Sequence, residues 1–446
     1  PSISSASIWL RMLRMAVSEF GRQARIYQRH RHGLAPIRRF AQIGWLEHFD
    51  RRAHWLCAGL MLAFGAMYAL QTPPGAVPDE AAHLAKIVKI RAGAPLGGAK
   101  GELFPDVARM YGPFSDYPRN KQPLSKEQMA RQLDQPVVCA PTSSSLLPGA
   151  DPYYPHQYAL ATAVFAGACA SGSSFGTFLY SARLLNLLLA TVLVGVGVAS
   201  AGRGKWALVF VALLPMSMFQ VASLSADSLV IGLSIAWIGL TSGLAAGHVE
   251  VRRVLPLLWV LALAIGLLKP GAAWILVSLL YCGDAFRRSG AAFVRALAGL
   301  VVLPWLIHVA LAASVDTSGI VREGVDSGAN LQVLKNDPLV FLRLIWETFF
   351  GDHGRYLYRM TVGILGWIDV PLSGWAYVVA SWALVAALFL GDNRPDALRW
   401  GIVAPVLLAL AVGSVILISL PLYIKWTLPG APIVEGLQGR YFLPPL

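Results

Sequence analysis

From His54 to Gln71 the chain carries no aspartate, glutamate, lysine or arginine, and apolar runs with little or no charge recur to its end. Lipid tails offer no hydrogen bonds to backbone N–H and C=O groups. A crossing segment must therefore satisfy them itself, which only helices and closed barrels do. These runs are continuous rather than alternating, the pattern of a buried helix. With 56% hydrophobic and 14% charged residues, the composition lies far from that of a soluble domain of this length. The expected fold is an all-α polytopic membrane protein, a helical bundle of roughly nine to eleven spans.

Arginine placement sets the threading. Arg51-Arg52 precede the first run, and Arg203 with Lys205, Arg252-Arg253, Arg287-Arg288, and Arg394 with Arg399 fall in short connections between later runs. Such residues mark the cytoplasmic side, so the N-terminus is expected in the cytoplasm. The stretch from Tyr158 to Ala170 is short for a span. Counting it as one would invert every later connection, so a juxtamembrane helix on the outer face is expected instead. Two large external loops follow, about residues 72–180 and 314–373, each expected to contain short helices. The chain divides into a basic, partly amphipathic segment at 1–53, suited to lie on anionic lipid, and a membrane domain at 54–446. The first segment lacks the apolar middle of a cleavable signal. The net charge of +13 is thus accounted for by membrane topology, and no nucleic-acid partner is expected. Phe442-Leu-Pro-Pro-Leu446 looks like the start of one more span, as in a piece of a longer protein.

The chemistry-bearing residues gather at the outer ends of spans. Directly after the first run comes Val77-Pro78-Asp79-Glu80-Ala81-Ala82-His83. Pro78 suits a first helical position, which would put Asp79 and Glu80 in a first turn that favours negative charge. Asp79 and His83, four residues apart, would share a face. A carboxylate fixed at a water–lipid boundary beside a proton partner is what a general base for a hydroxyl needs; a plain helix cap accounts for the same residues. Asp227 reads as a substrate contact or as an N-cap. Lys269, in a Lys-Pro-Gly break, reads as a phosphate ligand or a snorkelling end residue. Arg440, in Gln438-Gly439-Arg440-Tyr441-Phe442, reads as a bidentate phosphate ligand or an interfacial anchor. Asp352 and His353 lie in a glycine-punctuated turn that could meet a sugar or an acceptor. Tyr154, Trp367 and Asp369 are further substrate candidates, against the ordinary interfacial role of Trp and Tyr. Cys139 and Cys169 are the only cysteines on the outer side and form a disulfide candidate; the sequence does not fix their separation.

The order of these features resembles the GT-C superfamily of membrane glycosyltransferases, which includes lipid A aminoarabinose transferases and protein O-mannosyltransferases. The shared series is one span, an Asp-Glu pair opening an outer helix, Tyr154-Pro155, Ala182-Arg183-Leu184 opening the second span, Ser225-Ala226-Asp227-Ser228, and a lysine between two short spans. Within that superfamily, several patches are similar to one family of bacterial membrane proteins of undefined function. They are residues 78–83, Leu214-Pro215-Met216-Ser217, Leu365-Gly366-Trp367-Ile368-Asp369 with Pro371, and residues 438–442. The juxtamembrane segment departs from the superfamily's Pro-Pro-Leu, reading Tyr154-Pro155-His156-Gln157.

The resemblance implies a GT-C-like bundle and inverting transfer of a sugar from a polyprenyl-phosphate donor, such as an undecaprenyl phosphate, to a cell-envelope acceptor. The implied site is catalytic Asp79 with Glu80 beside it, and Lys269 and Arg440 at the donor phosphate. A divalent cation, Mg or Mn, could take part of the phosphate role, on Asp79 and Glu80 if anywhere. The implied partners are the lipid-linked donor, a lipid-linked or glycan acceptor (lipopolysaccharide and O-antigen among them) and membrane lipid. The implied place is a bacterial inner membrane with the site facing the periplasm. A lipid or glycan transporter, or flippase, would also explain the spans, but should show inverted repeats or ionisable residues mid-span. A catalytically inactive GT-C scaffold is the third reading.

Overall fold

The computed structural model describes residues 44–93, 105–112, 114, 125–139, 155–202, 204–268, 270–286, 290–314, 321–389 and 400–444. The chain divides into two units, 1–53 and 54–446. Of the first unit only residues 44–53 are described, and they are helical, so the basic amphipathic segment expected there falls mostly outside the described residues. The described residues of the second unit are helical almost throughout, with one short hairpin among them: an all-α polytopic membrane protein.

Five described helices are long and apolar enough to cross a membrane: Asp50–Gln71, Phe175–Ser200, Asp227–Ala245, Ala291–Leu311 and Val403–Trp426. Shorter apolar helices lie at Trp274–Gly283 and Gly374–Ala387. The apolar run at 206–221 is two helices, Lys205–Leu213 and Pro215–Val221. The cause is local. A residue before proline is pushed out of the helical region, and Leu214 sits at φ −56°, ψ 137°. Ser217 Oγ then donates to the freed carbonyl of Val211 at 2.6 Å.

The Asp227–Ala245 helix is the centre of the bundle. Its apolar window is 78% buried, against 28% for Asp50–Gln71. It packs on Phe175–Ser200 through glycines: a Cβ at Gly239 would run into the carbonyl of Gly197, and one at Gly197 into that of Ile235. Close backbone approach of this kind suits helix pairs in lipid, where apolar side chains gain little by leaving one another's company. Asp227 therefore heads the most enclosed of the five described helices able to cross a membrane.

The segment after the first span carries its own core. Leu84, Ile87, Val88, Tyr111, Phe165, Phe175 and Phe178 are buried together, which seats Glu80–Arg91 against the helices at 159–171 and 175–200. Lys126–Leu133 opens with a capping box made by Ser125 and Gln128. A disulfide joins Cys139 to Cys169, with Cα atoms 5.5 Å apart. Further on, Pro338–Phe350 and Asp352–Gly363 lead into the hairpin Ile364–Leu365 with Val370–Pro371. The Tyr377 hydroxyl pins that hairpin, donating to Gly363 O and accepting from Leu372 N, both at 2.9 Å.

Candidate functional site

A lone arginine interrupts an apolar run at Ser181-Ala-Arg183-Leu-Leu. In such a setting it must find a partner, and that partner is Glu80. Arg183 Nε donates to Glu80 Oε1 at 2.9 Å and Nη2 to Oε2 at 2.8 Å. Both side chains are fully buried. The remaining guanidinium hydrogens go to the carbonyls of Ala69, Thr72 and Pro73 at 3.0, 2.6 and 3.3 Å. Glu80 in turn accepts from the amides of Gly75 at 2.9 Å and Leu224 at 3.4 Å. One buried fork thus ties the end of the first span, the loop at 72–79 and the loop before Asp227. Tyr111 packs beside it; burial first, then the charge of Glu80, raises its phenol well above the ordinary range. Glu80 was expected beside Asp79 as a second reactive carboxylate. The structure corrects that: its oxygens are committed inside the protein, and its part is to hold the loop.

Asp79 is a different group. The helix begins at Glu80, two residues later than expected, so Asp79 is the N-cap residue, yet its side chain makes no capping bond. Its φ is 63°, a left-handed conformation that Asp and Asn tolerate better than other side-chain-bearing residues. The carboxylate is turned toward Arg440, whose Nη2 donates to Oδ2 at 2.7 Å. The Asp79 side chain is 44% exposed and that of Arg440 only 4%. Arg440 Nη1 also lies 3.7 Å from Asp227 Oδ2, and its Cζ stands 5.4 Å from the Tyr441 ring centroid, within cation–π range. Residues 79, 227 and 440, far apart in sequence, thus form one carboxylate–guanidinium–carboxylate group.

Arg440 is delivered by the 3-10 turn Gly439–Phe442. Gly439 presses on the Asp352–Gly363 helix so closely that a Cβ there would run into the Thr361 amide nitrogen. Substituting alanine for Gly439 must push the turn away. We expect a loss of about 1–3 kcal/mol from the overpacking and displacement of Arg440 from Asp79, read by thermal melting and by activity; a variant unchanged in both would contradict this account.

His83 lies beneath the group. Its Nδ1 is 2.7 Å from the Tyr158 hydroxyl and its Nε2 3.3 Å from Ser225 Oγ, and Ser225 Oγ accepts from Asp227 N at 3.1 Å. The ring is 2% exposed. The sequence offered it as a proton partner beside Asp79 or as a substrate contact; in the fold it links the Glu80–Arg91 helix to the head of the Asp227–Ala245 helix. Trp367 arrives from the hairpin turn, where Gly366 and Ile368 both have positive φ, and its Nε1 donates to Gly75 O at 2.7 Å. It holds the loop that carries Asp79. Asp369 closes that turn, its amide donating to Leu365 O at 3.2 Å.

Asp352 and His353 open the helix that ends near Met360 and Gly363. At 1.5 Å per residue they lie about 12 Å along its axis from Met360, which lines the cleft beside Arg440. Burial lowers the pKa of His353. Tyr154 and Lys269 fall outside the described residues. Among the described neighbours of these positions in sequence, His156 Nε2 meets Ala264 O at 3.1 Å and Gln157 Nε2 donates to Leu267 O at 3.3 Å.

A small cleft opens beside Arg440. Pro78, Met216, Met360, Ile364 and Ile368 give it apolar walls, and Gln220 and Gln438 add amides. Among the described residues no group of three or more His, Cys, Asp or Glu is placed to hold a metal. Asp79 and Glu80 do not fit one either, since Glu80 is spent on Arg183 and a guanidinium sits between Asp79 and Asp227. Sequence reasoning gave no role to Arg183, Gln220 or Gln438. A charged residue inside an apolar run was the available signal for the first; the glutamines, polar residues at the ends of apolar stretches, had none as specific.

A family model described as a predicted membrane protein (DUF2142) matches residues 62–446. No curated protein and no solved structure matches the chain.

Proposed function

The chain belongs to the DUF2142 family of predicted membrane proteins, and from that premise we propose that it is an inverting glycosyltransferase of GT-C type, moving a sugar from a polyprenyl-phosphate donor to a cell-envelope hydroxyl at the outer face of a bacterial inner membrane. The observation that carries the reading is Asp79. It is half-exposed, held in a left-handed conformation, excused from capping its helix and bonded to Arg440, itself part of the lining of a cleft. A carboxylate kept for helix stability would cap the helix.

In the proposed reaction the acceptor oxygen attacks the anomeric carbon opposite the phosphate. The new C–O bond forms as the sugar–phosphate bond breaks, and the bonding pair leaves with the phosphate oxygen. Asp79 takes the hydroxyl proton. A monoanionic phosphodiester becomes a dianionic monoester, while Asp79 becomes neutral, so one negative charge passes from carboxylate to phosphate. Arg440 suits that transfer. As Asp79 is protonated, its charge-assisted bond to the guanidinium weakens, while the attraction of the departing phosphate grows. Asp227 keeps the guanidinium in place from the other side. The resemblance adds Lys269 as a second cation for the phosphate.

The test uses the purified chain in nanodiscs with a panel of polyprenyl-phosphate sugars and an envelope lipid extract as acceptor source. Release of polyprenyl phosphate from one donor, dependent on the extract and abolished by Asp79→Asn, is the expected result. Neither binding nor release across the panel would sink the reading and favour transport, and release unaffected by Asp79→Asn would remove Asp79 from the mechanism.

A further inference from the structure

The helix Pro338–Phe350 has apolar side chains on two opposite sides. Phe341 and Thr348, seven residues apart, face inward and are buried. Phe341 packs on Tyr423, their ring centroids 5.5 Å apart, and Thr348 Oγ1 accepts from Val434 N at 2.9 Å. Leu339, Leu342, Trp346 and Phe350 follow one another at steps of three and four, so they share the other side. They are 55%, 54%, 46% and 70% exposed. A contiguous apolar stripe of this kind marks a surface that has a partner.

The level of the stripe identifies that partner. Tyr423 stands in the last turn of the span Val403–Trp426. Asn330, on the preceding helix Ser327–Asn336, donates to the carbonyls of Tyr423 and Thr427 at 3.0 and 2.8 Å. Both short helices are thus fastened to the end of a span, where Lys425 and a 40% exposed Trp426 stand, residue types that mark the headgroup level. At 1.5 Å per residue the 13-residue helix is about 20 Å long, too short to cross hydrocarbon about 30 Å thick. Arg343 and Glu347 are exposed beside the stripe. Two charges there rule out the bilayer centre but suit its boundary, where an arginine stem lies on acyl chains and its head reaches phosphate. We propose that Pro338–Phe350 lies along the bilayer surface, with Leu339, Leu342, Trp346 and Phe350 set into the acyl chains and Arg343 at the lipid phosphates. This placement is independent of the transfer reading above.

The experiment places a nitroxide on one introduced cysteine at a time, Leu339→Cys, Leu342→Cys, Trp346→Cys or Phe350→Cys, in the nanodisc-embedded chain. Glu127→Cys, on an exposed polar helix, is the water reference. Val412→Cys, exposed within Val403–Trp426, is the lipid reference. Wild type, whose free Cys57 and Cys282 are buried, gives the labelling background. Collisions with oxygen, which concentrates in lipid, are compared with those of a water-soluble nickel chelate. All four stripe positions should favour oxygen, where Glu127→Cys favours the chelate, at a depth of about 5–10 Å and shallower than Val412→Cys. A stripe that favours the chelate faces water. A stripe shielded from both reagents is covered by protein, a second copy where labels on different chains broaden one another. Either result overturns the proposal, as does a depth equal to that of Val412→Cys. Trp346 gives the same answer without a label. The fluorescence lost in Trp346→Phe should be quenched more by lipids brominated near the headgroup than by lipids brominated at the chain end; quenching by neither would overturn the proposal as well.

Discussion

Replacing Glu80 with glutamine is expected to destabilise the protein by about 3–5 kcal/mol, the usual cost of stranding one charge of a buried ion pair. Arg183 would keep its charge with no exposure and lose both carboxylate bonds. The three carbonyls it holds belong to the end of the first span and the loop leading to Asp79, so the loop should loosen with it. Thermal melting in nanodiscs checks this. The double variant Glu80→Gln/Arg183→Met should recover part of the loss, because a buried pair replaced by groups of similar volume is often close to neutral. A single variant within about 0.5 kcal/mol of wild type, the range of an ordinary surface change, would show that the fork is not structural. An activity loss in Glu80→Gln should follow the melting curve and disappear at temperatures where the variant is folded.

The Asp-Glu pair shows how far the sequence could be read. That Asp79 and Glu80 stand at the start of an outer helix was legible. Which of them turned inward was not, because it is decided by Arg183, 103 residues away from Glu80. The apolar runs were legible because transfer into lipid is a property of each segment alone. The break at Leu214-Pro215 followed a local rule yet was hidden by the apolar residues on both sides of it. The meeting of Asp79, Asp227 and Arg440 depends on the packing of helices with no mutual sequence signal, and could be found only in three dimensions. Asp352 and His353 show a related limit: the sequence places them in a polar, glycine-punctuated turn, and only the fold shows them at the far end of the helix from Met360.

Substituting Asp79 separates chemistry from stability, because its backbone conformation ranks the replacements. At φ 63° a side chain with Cβ is strained by about 1–2 kcal/mol; glycine is free of that strain, and asparagine tolerates it about as aspartate does. Asp79→Asn and Asp79→Gly should therefore stay within about 1 kcal/mol of wild type, the relief of strain in glycine offsetting the lost bond to Arg440. Asp79→Ala should fall below both by about 1 kcal/mol. If Asp79 is the general base, all three lose about 10²–10⁴ in turnover, the well-folded Asn and Gly variants included. If it only shapes the loop, activity should track the melting order, with Gly and Asn active and Ala impaired. A stable, inactive Asp79→Asn would thus place the defect in the proton transfer. It would also explain why a strained, non-capping aspartate is kept where glycine would fold as well: the conformation that costs the loop its ease is the one that presents the carboxylate to Arg440.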